Sequence, residues 1–88
     1  LDPQAVTEYH KLLQALRQRN VNIMMVLHHF TNPTWFSAAG GWEKEANTQL
    51  WLDFVEKLVA EFGHYVSHWN TFNEPNVYAS FGWGIGQF

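Results

Sequence analysis

Along these 88 residues, two stretches of helical periodicity alternate with two short runs of strand-forming residues. Helix, strand, helix, strand is the order, and it demands parallel strands joined by helical crossovers. Asp2 before Pro3 offers a capping acceptor and a proline suited to the first helical position. Val6, Tyr9, Leu13 and Leu16 recur at helical spacing, with Leu12 widening the stripe. Arg17 and Arg19 bring cations to the negative helix end. A helix over 3–19, stopping at Asn20, is predicted. Ile23 to Leu27 is a continuous apolar run, whose length and branched content predict a strand buried on both faces. Residues 30–46 hold Asn32-Pro33 and Gly40-Gly41 and read as a loop. Asn47 is the expected N-cap of a helix over 48–62, with Trp51, Phe54, Val55, Leu58 and Phe62 on one face and Gly63 at its end. Residues 65–73 suit a second strand, stopped by Pro75, and the remainder reads as loop.

The two helix starts, Pro3 and Thr48, are 45 positions apart, and so are the residues expected to close the strands, His29 and Glu74. Two strands alone cannot bury both faces of a sheet, and isolated two-stranded pieces are marginal. The chain therefore reads as α/β, a helix-strand-helix-strand fragment of a larger parallel sheet or barrel. Neither Leu1 nor Phe88 reads as a finished terminus. A content of 47% hydrophobic and 15% charged residues excludes a disordered segment. Five Lys+Arg against eight Asp+Glu leave a net charge of −3, so no basic field exists to hold nucleic acid or an anionic membrane. The apolar run at Ile23–Leu27 is far short of the roughly 20 residues a membrane span needs. The absence of cysteine removes disulfides, thiolate metal sites and thiol catalysis. These residues do not encode a compartment, and a cytoplasmic one is favoured.

Parallel α/β architectures bind ligands at the carboxyl ends of their strands. Here those ends carry His28-His29-Phe30-Thr31-Asn32-Pro33 and Asn70-Thr71-Phe72-Asn73-Glu74-Pro75. Neighbouring strands lie about 4.8 Å apart, so His29 and Glu74 are expected to reach one ligand. Most glutamates are solvated surface groups. A glutamate closing a buried strand between Asn and Pro is different, because a low-dielectric pocket lets it keep a proton near neutral pH and donate it. Asn73 offers an amide donor and acceptor suited to a sugar hydroxyl. His28 and His29 are expected on opposite faces, with no third ligand pattern, so no metal site and no cofactor is predicted. One of the two reads as a hydrogen-bonded core histidine, the other as a pocket donor. Trp51 and Trp69 are assigned to packing. Trp35, Trp42 and Trp83 lie in loops on the ligand side, where stacking on a sugar is open.

Trp69 followed by Thr71-Phe72-Asn73-Glu74-Pro75 resembles the acid/base signature of family-one glycoside hydrolases, the retaining β-glucosidases and β-galactosidases. Leu27-His28-His29-Phe30-Thr31-Asn32-Pro33 resembles their third-strand motif, and Gly40-Gly41-Trp42 the loop that follows it. Phe30 stands where Trp is more frequent, and His28 where Tyr is common. The resemblance implies a (β/α)8 TIM barrel, of which residues 1–88 would be helix two, strand three, helix three and strand four with its following loop. It implies Glu74 as general acid/base, with His29 and Asn73 binding the sugar. Glutamate rather than glutamine at 74 departs from the thioglucoside-cleaving branch. Asn73 and Glu74 are consecutive, so both serve one sugar only if the strand end twists or bulges.

Retaining hydrolysis needs two carboxyl groups about 5–5.5 Å apart. The family's nucleophile lies on strand seven in a Thr/Ser-Glu-Asn-Gly setting that this sequence lacks. The implied protein hydrolyses a β-glycoside or oligosaccharide substrate, and the 88-residue chain, needing the rest of the barrel, is expected to be inactive alone. A non-catalytic carbohydrate-binding piece, a structural half-barrel and an endoglucanase of the same clan are the alternatives. His29 with its motif and Gly40-Gly41-Trp42 speak against the last.

Overall fold

A computed structural model describes residues 1–87. Helix α1 spans Pro3–Gln18, strand β1 Met24–His28, the short helix α2 Thr34–Ala38, helix α3 Thr48–Phe62, strand β2 His68–Phe72 and the short helix α4 Pro75–Ala79. Two 3-10 turns, Gly41–Glu43 and Glu45–Asn47, precede α3 and one, Gly63–Tyr65, follows it, and a one-turn π-helical segment, Ser80–Gly84, follows α4. The expected alternation is present, and β1 pairs with β2 in parallel. The segment read as a loop between residues 30 and 46 contains α2. The segment after Pro75 contains α4. Each has only five residues, too few to display a helical period.

Helix α1 starts as its sequence requires. The Asp2 side chain accepts from the Gln4 amide at 3.0 Å, and Pro3 occupies the first turn. It stops where Asn20 turns left-handed at φ 59°. The start of α3 differs from expectation. Asn47 makes no cap; it is buried, and its amide donates to the carbonyls of Ala39 (3.1 Å) and Gly41 (2.8 Å). Those two bonds fasten the Gly40-Gly41 turn onto the helix start. Gly63 is not left-handed either, because the chain continues there into a 3-10 turn.

Leu13 of α1, Phe62 of α3 and Ile23 at the head of β1 form the buried core, with Val6, Leu16, Met25, Leu58, Tyr65 and Val66 against it. Tyr9 and Leu12, expected in that stripe, are exposed. His10 bonds Tyr65 Oη at 2.9 Å and Glu61 Oε1 at 2.5 Å, joining α1 to the end of α3. These elements cover one face of the sheet. On the other, Met24 and its partner His68, and Val26 and its partner Asn70, are all exposed. Burial of β1 on both faces is therefore not met within this chain: its two long helices supply one layer, and Met24 keeps 62% of its surface open.

Candidate active site at the strand ends

The register pairs residues 44 apart, Met24 with His68 through His28 with Phe72. His29 accordingly sits beside Asn73, and Phe30 beside Glu74. His29 and Glu74, expected to reach one ligand, stand one residue out of register. The Asn73 amide nitrogen lies 3.2 Å from His29 Nε2, and the Asn73 backbone N–H donates to the His28 carbonyl at 2.8 Å. The pairing thus runs on past β2 and delivers Asn73 to the imidazole. Accepting at Nε2 leaves Nδ1 as the protonated nitrogen of a neutral His29.

Both chains then turn in the same way. Phe30 has φ 68° and Glu74 has φ 43°, each the second residue after its strand. A left-handed conformation costs a non-glycine residue roughly 1–2 kcal/mol. Such strain recurs at functional sites, where the surroundings over-determine it. The left-handed turn at Glu74 ends the pleat, and Pro75 opens α4 immediately after it. Glu74 itself is exposed. The low-dielectric enclosure expected around a proton-holding carboxyl is not supplied by the described residues.

The two histidines differ sharply in burial. His28 is buried at 5% exposure, among the rings of Trp42, Phe72 and Tyr78 at 5.1–5.5 Å. Its Nε2 lies 3.0 Å from Asn32 Oδ1, while Nδ1 is buried without a partner. His29 is exposed. Among the described residues, no group of three His, Asp or Glu side chains is placed to hold a metal ion.

The tryptophans divide differently from expectation. Trp42, placed with the loop tryptophans, packs against Phe36, Trp51 and Phe72 at 5.0–5.5 Å and donates to Asn32 Oδ1 at 3.2 Å. It belongs to the aromatic layer under the strand ends. Trp35 and Trp83 remain exposed, and the Trp83 indole donates to Glu43 at 2.8 Å. Glu43 is thereby engaged with Trp83, as Glu8 is with Lys11 and Glu61 with His10. The bond between Asn32 and Tyr78, at 2.9 Å, had no signal in the sequence.

The sequence model of glycosyl hydrolase family 1 matches residues 1–88. A beta-glycosidase from Pyrococcus horikoshii superposes with a TM-score of 0.87 at 34% identity, covering 93% of this chain and 19% of that one. The cytosolic beta-glucosidase of Cavia porcellus is 31% identical over all 88 residues, which span 19% of its length. The galactolipid galactosyltransferase of Arabidopsis thaliana, a chloroplastic protein, is 32% identical over 75 residues, 85% of this chain and 12% of the relative. The chain thus spans a fifth or less of these relatives.

Proposed function

The chain belongs to glycosyl hydrolase family 1, and on that premise we propose that it is the part of a retaining β-glycosidase that carries the proton donor. It supplies helix two, strand three, helix three and strand four of a (β/α)8 barrel whose other strands cover the open face at Met24 and Val26. Glu74 protonates the glycosidic oxygen as the bond to the aglycone breaks, then takes a proton from the water that releases the sugar. His29 and Asn73 bind hydroxyls of the β-glucosyl or β-galactosyl unit. The opposing carboxylate, which forms the glycosyl-enzyme, comes from outside these residues.

One observation carries this reading. The His29–Asn73 contact stands directly before Glu74, and Glu74 is held in a left-handed turn at the carboxyl end of a parallel strand. A grip for hydroxyls and an ionisable carboxyl are then adjacent on one rim, as acid-assisted glycoside cleavage requires.

Glu74→Gln in the full-length enzyme tests it. General acid–base assistance is worth about 10²–10⁴-fold. Turnover of an alkyl β-glycoside should fall within that range; unchanged turnover would remove Glu74 from the role. The name of the Arabidopsis relative favours a second outcome for the same glycosyl-enzyme, transfer to a sugar hydroxyl instead of water. Product analysis with and without a galactosyl acceptor separates the two.

A further inference from the structure

A chain of hydrogen bonds runs from the end of β1 to the helix that follows Glu74. Asn32 is its centre. Its Oδ1 accepts from Trp42 Nε1 at 3.2 Å and faces His28 Nε2 at 3.0 Å. A carbonyl oxygen only accepts, so His28 carries its hydrogen on Nε2, which accounts for a bare acceptor at the buried Nδ1. The Asn32 amide nitrogen donates to Tyr78 Oη at 2.9 Å. The Tyr78 ring stacks on Phe30 at 5.9 Å and 15°, and meets the His28 edge at 5.1 Å. Its backbone N–H donates to the Glu74 carbonyl at 3.0 Å, closing the first turn of α4.

Tyr78 is therefore fixed through its hydroxyl, its ring and its backbone, and the backbone bond ends on Glu74. A left-handed non-glycine residue persists only where its surroundings over-determine it. Here the determinants are visible. They come from the loop after β1, which reaches across to α4 and sets the direction in which Glu74 leaves the strand. Resting on the acid/base reading above, we infer that Asn32 and Tyr78 are positioning residues, which hold the Glu74 backbone so that its carboxyl meets the leaving-group oxygen. Neither needs to touch the substrate. A displacement of about 1 Å at a reacting group costs on the order of 100-fold in rate, so loss of this bridge is read out at the proton-transfer step.

The test compares two leaving groups in the full-length enzyme. An alkyl β-glycoside requires protonation to depart; a 2,4-dinitrophenyl β-glycoside departs as a stable phenolate without it. Tyr78→Phe removes only the hydroxyl, and Asn32→Ala removes the hub. Each should lower kcat/KM on the alkyl glycoside about tenfold or more while changing the dinitrophenyl rate less than about twofold. The dinitrophenyl rate also reports that the variant is folded. Equal losses on both substrates in Tyr78→Phe, or no loss on either, would overturn the inference. Glu74→Gln is measured beside them. If it shows the selective loss and Tyr78→Phe does not, the bridge is wrong and the acid assignment stands; if Glu74→Gln is itself unselective, both fall.

Discussion

Glu74 and Phe30 occupy equivalent places on neighbouring strands and share a left-handed backbone, yet only one carries an ionisable group. The turn is thus a property of the strand ends, and the chemistry is added by side chain. His29 and Asn73 are the other half of that addition. Their contact was legible because both strand ends announce themselves in sequence, by an apolar run meeting polar residues and by a Pro stop. Their register was not legible, because spacing gives the period of the elements and not the hydrogen-bond pairing. Asn32 and Tyr78 were illegible for a different reason. They are 46 positions apart, and an Asn before Pro reads as an ordinary turn residue. A distinct prediction attaches to the proposed sugar-binding pair. On the proposed roles, Asn73→Ala removes a hydroxyl partner of the sugar, not the proton donor. It should lower kcat/KM about tenfold on alkyl and dinitrophenyl glycosides alike, in keeping with about 0.5–1.5 kcal/mol for one hydrogen bond. Steady-state kinetics on the two substrates checks it, and a loss confined to the alkyl glycoside would contradict the division of roles.

The two long helices were readable because each displays several turns of period and a distinct start. α2 and α4 were not, since five residues show no stripe. Asn47 teaches the sharper lesson. As a residue type it is a good cap, but here its side chain turns back onto Ala39 and Gly41, and α3 begins uncapped. A long-range need, anchoring the Gly-Gly turn, outcompeted the local one. Gly40 has φ 100°, a conformation that residues with a Cβ rarely adopt, so the turn specifies glycine. Asn47→Ala leaves two carbonyls without their donor and should destabilise the loop by about 1–3 kcal/mol. Amide exchange of the full-length protein should quicken at Gly41 and Trp42 while α3 stays protected. Faster exchange in the first turn of α3 with an unchanged loop would mean Asn47 caps after all.

At the scale of the molecule, the open sheet face decides what the chain does alone. Met24, Val26, His68 and Asn70 face solvent, and a two-stranded sheet covered on one side is marginal. The isolated 88 residues are expected to melt without a sharp transition and to leave an aryl β-glucoside intact; turnover above buffer would refute this. Acid catalysis at this rim has meaning only with a second carboxylate across it. Replacing Glu74 with Ala in the full-length enzyme, then supplying a dinitrophenyl β-glucoside and azide, tests that arrangement most directly. The first step proceeds without an acid, and azide enters through the space Glu74 vacated to displace the opposing carboxylate from the anomeric carbon. The product should be the β-glucosyl azide, identified by its anomeric coupling in NMR; an α-glucosyl azide would make Glu74 the nucleophile and contradict the account.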